Sequence, residues 1–285
     1  MNRSDPFQSK KILLDWSRQD IEQRFGFPGG RYTSANVLFS FLLAVFATVV
    51  FYLGITFGLR QWEPARFFCD MFLERGIIPY PTMLFFFWAL AILWVKASKL
   101  GFQRAALRLK PVPIEPDFIL NRDTAREVLL RLRSEVDDTH NFVLSNRVDR
   151  ALSNLQNIGL VSDVSNILST QAQYDEDQLA SSYSVVNGFL WAIPVFGFIG
   201  TVLGLSQAIG AFGVTLRSAA DLSALKTSLQ AVTGGLSTAF ETTLVALVCA
   251  LIVQLILSYI QGKEAAFLDE CNDYCHANIV SKLKL

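Results

Sequence analysis

Residues 236–255, LSTAFETTLVALVCALIVQL, decide how the chain is read: the run is apolar enough to lie in a lipid bilayer, yet it carries Glu241 beside two threonines. On insertion scales an acidic side chain at mid-helix costs roughly 2.5 to 3.5 kcal/mol, so the carboxylate needs a compensating structure or a use.

Composition supports a membrane setting. Hydrophobic residues make up 52% of the chain and phenylalanine alone supplies 23, while the charged share of 18% falls below the roughly 25% usual for soluble proteins. Acidic and basic residues balance at 25 each, so no basic footprint argues for a nucleic-acid partner. The four cysteines give no disulfide framework: Cys69 falls in a loop, Cys249 in an apolar span, and Cys271 and Cys275 near the C-terminus. The N-terminus does not read as a signal peptide, because its first apolar run begins at Val37 and no small-residue cleavage site follows it.

About 20 mainly apolar residues are needed to cross the hydrocarbon, and four segments qualify: 37–58, 77–95, 185–212 and 239–260, with Pro79 and Pro81 marking the start of the second. Lys and Arg concentrate before the first span (Arg3, Lys10, Lys11, Arg18, Arg24, Arg31) and after the second (Lys96, Lys99, Arg104, Arg108, Lys110). The stretches 59–76 and 213–235, read as loops, hold only Arg60, Arg66, Arg75, Arg217 and Lys226. The positive-inside rule then places both termini in the cytoplasm.

Between spans two and three, KPVPIEPDF (110–118) reads as a stiff connector. Beyond it, Val128, Leu129 and Leu132, and then Leu144, Val148, Leu152 and Leu155, recur at helical spacing. Asp163 and Asp175 look like further helix starts. No glycine-rich phosphate loop, metal-spaced His/Cys set or nucleophile with a base appears, which argues against an enzyme. The resulting organisation is a cytoplasmic segment (1–36), a transmembrane hairpin (37–100), a helical cytoplasmic region (101–183), a channel-like helix pair (184–262) and a C-terminal helix (263–285). The fold class is an all-α integral membrane protein with four transmembrane helices and a helical cytoplasmic portion.

In the third span Gly197, Gly200 and Gly204 fall at i, i+3 and i+7, and Ala208 and Ala211 continue the row. A face this small admits a neighbouring backbone, which favours helix association in lipid. IPVFGFIGTVLGLSQAI followed by GGLSTAFETTLVALVCAL resembles the paired-helix signature of the MotA/TolQ/ExbB proton-channel family. The first helix of that signature matches at Pro194, Gly197, Gly200, Thr201 and Gly204, and the second at Gly235 and Thr243. The resemblance is strong over about 181–281; elsewhere it rests on layout, which is closer to the flagellar MotA branch than to the three-span TolQ and ExbB branch.

This resemblance implies a stator unit: a homopentamer whose last two transmembrane helices enclose the single helices of a partner dimer of the MotB, TolR or ExbD type, in the bacterial inner membrane. Protons or sodium ions cross at that boundary and drive mechanical work. The partner carries the essential aspartate, and Thr201 and Thr243 of this chain line the ion path; no cofactor is implied beyond the transported ion. The residues themselves agree in one respect. At 100° per residue, Thr243, Ala250, Gln254 and Gln261 fall within about 20° of one another, a narrow polar and small stripe. Hydroxyl and amide oxygens can coordinate a cation or orient waters, although a threonine in a span often bonds back to its own helix instead.

Glu241 departs from the family pattern, whose acid or histidine stands where this chain has Thr238. It lies about 200° from Thr243, so the two cannot both point straight into one pore. Two readings stay open: an ion-relay carboxylate in a crevice between subunits, with Thr238, or a neutral glutamic acid bonded to Thr201, Ser206 or Gln207. The expected ion path is therefore Thr201, Thr243, Thr238 and Glu241, and the helix-packing set is Pro194, Gly197, Gly200, Gly204 and Gly235. CNDYCH (271–276) reads as structural, because its His276 points about 100° away from Cys275 on a helix. KKILLDWSRQDIEQRF (10–25) is amphipathic and fits either the inner membrane surface or the face of other helices. The rival reading is an oligomeric membrane scaffold that conducts nothing; a substrate transporter would need inverted repeats or broken helices, and neither is visible.

Overall fold

The computed structural model describes residues 14–58, 61, 63–113, 118–157, 161–218 and 222–283. The ten α-helices among them are α1 (Trp16–Gln19), α2 (Ile21–Arg24), α3 (Val37–Phe57), α4 (Arg66–Leu73), α5 (Pro79–Arg108), α6 (Arg122–Glu135), α7 (Val143–Asn157), α8 (Val161–Ser181), α9 (Ser184–Ser218) and α10 (Leu222–Asn278). No strand occurs among the described residues, and four helices are long and apolar enough to cross a membrane. The chain is an all-α, multi-pass membrane protein.

Helix ends follow local chemistry. At the start of α6 the Asn121 side chain accepts from the Asp123 and Thr124 amides, and the Thr124 hydroxyl accepts from the Asn121 amide, a capping box. The end of α5 is set by Lys110 at φ +45° with Pro111 behind it. No proline follows Pro194, and α10 runs unbroken for 57 residues.

The described residues divide into two units. A polar unit takes the residues up to Phe39, Trp94–Tyr183 and those from Tyr259 onward; an apolar unit takes Ser40–Leu93 and Ser184–Ser258. In the polar unit, Val128, Leu129 and Leu132 of α6 and Leu144, Val148, Leu152 and Leu155 of α7 are buried together with Phe267, Cys271 and Cys275 of α10. In the apolar unit, Ile55, Met83, Ile193, Val245, Ala246 and Cys249 share a core. Phe85 meets Phe189 at 5.0 Å and Phe196 at 5.2 Å between ring centroids, edge to face.

Three expectations differ from what is observed, the first being the stretch 59–76: read as a loop, it holds α4, with Cys69 buried in that helix. The stretch 213–235, read as a loop, is mostly helix, with α9 reaching Ser218 and α10 beginning at Leu222; of its glycines, Gly235 packs against Gly204 and Ala208. Asp175 starts no helix, because α8 runs on to Ser181 and the carboxylate is buried against Arg147. Of the two settings that the amphipathic N-terminal segment fits, its described part shows packing on helices: Trp16 is buried and meets Phe142 edge-on at 5.1 Å. Residues 10–13 of that segment and 114–117 of the proline-rich connector lie outside the described residues, as do Arg3 and Arg60.

Candidate functional site: the α9–α10 helix pair

The small residues of α9 meet α10 in antiparallel order. A Cβ placed on Gly197 would lie 2.6 Å from the Ala246 Cβ, and one on Gly200 would collide with the Thr242 side chain. One on Gly204 would stand 2.7 Å from the Gly235 carbonyl oxygen, and one on Gly235 would stand 2.7 Å from that of Gly204. Real Cβ atoms are not found so close, so these glycines set how near the two backbones come. Pro194 lies inside α9, where it removes one i→i−4 hydrogen bond.

Threonine hydroxyls line the pair with different partners. Thr243 Oγ1 donates across the interface to the Gly197 carbonyl at 2.9 Å and lies 3.3 Å from that of Ala239 in its own helix. Thr201 donates to Phe198 O at 2.6 Å and Thr238 to Gly234 O at 3.1 Å, each within its own helix. Every one of these hydroxyls commits its proton to a carbonyl and keeps its oxygen lone pairs for water or a cation. Thr242, absent from the expected set, is buried beneath Gly200. Along the expected stripe Gln254 is exposed and bonds Ser258 at 3.1 Å, while Thr243, Ala250 and Gln261 are half-buried.

Glu241 is paired. Arg75 Nε donates to its Oε2 at 2.7 Å and Arg75 Nη2 to its Oε1 at 3.0 Å; the Ser237 hydroxyl adds a third bond at 2.5 Å. Thr201, Ser206 and Gln207 are not its bonding partners. The carboxylate therefore has a compensating structure, a two-pronged guanidinium that matches its geometry. Arg75 lies in the turn between α4 and α5, in a stretch the sequence offers only as a loop, 166 positions from its partner.

A second polar cluster, in the polar unit, also escaped sequence reading. Lys96 Nζ lies 2.7 Å from Ser182 Oγ, 3.3 Å from Thr33 Oγ1 and 3.6 Å from Glu264 Oε1, and sits 4.0 Å over the Tyr183 ring. Glu264 also accepts from the Tyr183 hydroxyl at 2.6 Å and from the Thr33 hydroxyl. The only signal available was Lys96 directly after an apolar run and Glu264 four residues beyond another.

Residues 140–272, just under half of the chain, match the family described as the MotA/TolQ/ExbB proton channel family. The match holds all of α9, α10 as far as Asn272 and every expected site residue, and reaches back through α8 and α7 to His140, well before the segment on which the resemblance rests. No curated protein and no solved structure matches the chain. The family is one of proton channels and not an enzyme class, and its members form oligomeric channels with partner proteins.

Proposed function

We propose, from the match of residues 140–272 to the MotA/TolQ/ExbB family, that this chain is the ion-conducting stator subunit of a complex that couples proton or sodium motive force to mechanical work. It acts as a homopentamer around the single spans of a MotB/TolR/ExbD-like dimer, in a bacterial inner membrane with both termini cytoplasmic. The ion passes Thr201 and Thr243, with Thr238 and Glu241 nearer the outer side, and the glycine row lets α9 and α10 shift against neighbouring helices. The family match carries this reading; the close α9–α10 approach and the lone pairs left on the threonine oxygens support it.

The test is proton and sodium flux in proteoliposomes holding the chain with a single-span, aspartate-bearing protein first shown by copurification to bind it. Thr201→Val and Thr243→Val should each cut a partner-dependent flux severalfold or more. Unchanged flux in both variants removes the threonines from the route. Absence of any flux with the partner bound leaves the non-conducting scaffold as the better reading.

A further inference from the structure

We propose that Glu241 is a cation-exchange site whose resident cation is the tethered guanidinium of Arg75, so that a proton or sodium ion reaching the carboxylate must displace the arginine. This rests on the stator reading for its purpose, though not for its geometry. A carboxylate offers about four lone-pair positions, and three on Glu241 are filled, two by Arg75 and one by Ser237. Among the described residues, Arg75 is the one charged group in contact with it.

The pair is not sealed. The side chains of Arg75 and Glu241 keep 23% and 12% of their exposure, whereas those of Lys96 and Glu264 keep 0% and 4%. A small cation can reach Glu241 without unfolding anything. The two partners also differ in what holds them. Glu241 is fixed in the long helix α10, while Arg75 stands on the turn after Leu73, next to Gly76 at φ +82°. Withdrawal of the guanidinium needs rotations in that turn and no break in a helix.

Charge balance then dictates the exchange. When Arg75 leaves, the carboxylate in its apolar surroundings needs another positive charge, and a proton or one sodium ion supplies it one for one. When the ion moves on, the guanidinium returns. Ser237 stays as a neutral donor throughout and holds the carboxylate in place. The arginine thus keeps the site closed to ions at rest, and opening it is a motion of the turn between α4 and α5.

The experiment uses the purified chain in liposomes, a membrane-permeant carbodiimide as carboxyl reagent, and mass spectrometry of the peptide bearing Glu241. Wild type should label slowly. Arg75→Gln should label about tenfold faster, the factor that corresponds to loss of one charge-assisted hydrogen bond, and its rate should respond to the ion that replaces arginine, falling when sodium chloride replaces choline chloride or rising on acidification. Labelling of Arg75→Gln at the wild-type rate overturns the proposal, as does a fast rate that neither sodium nor pH alters. If Arg75→Gln fails to give the wild-type oligomer, Arg75→Lys decides: its single ammonium holds the carboxylate less well, so faster labelling supports exchange and an unchanged rate overturns it. The chain is labelled without its partner, so a complex that carries no flux sinks the stator reading while leaving the labelling result to stand or fall alone.

Discussion

Thr242 and Thr243 are adjacent in sequence and both pack against α9, yet only Thr243 hydrogen-bonds across to it. Thr242 Oγ1 lies 2.9 and 3.1 Å from the Thr238 and Ala239 carbonyls of its own helix, while Thr243 bonds Gly197 across the interface. Thr243→Val keeps the shape of the side chain and removes that bond. Interhelical hydrogen bonds in membrane proteins average about 0.6 kcal/mol, so the variant should unfold in detergent with a loss near that value, small beside the severalfold drop in flux expected of it. A loss of several kcal/mol would mean that any flux defect comes from disrupted packing and not from the ion route. At this scale the sequence was partly legible. Thr243 and the glycines stood out by spacing, because spacing on a helix fixes which residues share a face. The Arg75 partner of Glu241 did not, because no local pattern tells which loop cation meets a carboxylate so far along the chain.

Among the elements, the N-terminal segment shows how an ambiguous pattern is resolved by packing. Its amphipathic stretch fitted a membrane surface or a helix face equally well, since both bury one apolar side. The helix face wins because the segment carries polar groups that find partners there: Tyr32 donates to Asp175 at 3.0 Å, and Lys99 lies 2.5 Å from Glu22 and 3.6 Å from Asp20. Burial is the main influence on Asp20 and raises its carboxyl above the ordinary 3.8, with Lys99 pulling the other way. The folded state then holds that proton more tightly than the unfolded chain does, so between 3.8 and the raised folded value stability falls as pH rises, and above that value the whole cost is present. Asp20→Asn keeps an acceptor for the Glu22 amide, which Asp20 caps at 3.1 Å. The variant should gain thermal stability relative to wild type at pH 7 and lose that advantage near pH 4; an equal difference at both values would rule out the buried charge as its cause. The long α9 and α10 illustrate the opposite limit: glycine, serine and threonine around 213–235 read as loop from composition, yet the described part of that stretch is helical, with Gly235 a contact point against Gly204 and Ala208 and no atom of the described residues near a Cβ built on Gly213 or Gly234.

For the whole molecule, the Lys96–Glu264 cluster ties the topology together. Thr33 precedes the first apolar span, Lys96 follows the second, Ser182 and Tyr183 precede the third, and Glu264 follows the fourth. Residues that flank all four apolar spans thus share one cluster in the polar unit. Hydropathy alone made the spans legible; it was silent on this cluster because burial of a lysine beside an apolar run depends on three other chain segments. The energetics follow from desolvation. Removing one partner of a buried ion pair leaves the other charge uncompensated and costs about 3 to 5 kcal/mol, whereas replacing both is often close to neutral. Lys96→Met should therefore destabilise the chain by about that amount in a detergent unfolding experiment. Glu264→Gln retains a carbonyl oxygen for Tyr183 or Thr33 but strands the ammonium, and should be similarly costly. The double variant should recover much of the loss, because no charge is left to bury and the amide still meets the Tyr183 and Thr33 hydroxyls. Additive losses in the double variant would show instead that Lys96 and Glu264 stabilise the chain through separate contacts, with Lys96 held by Ser182 and the Tyr183 ring and Glu264 by the two hydroxyls.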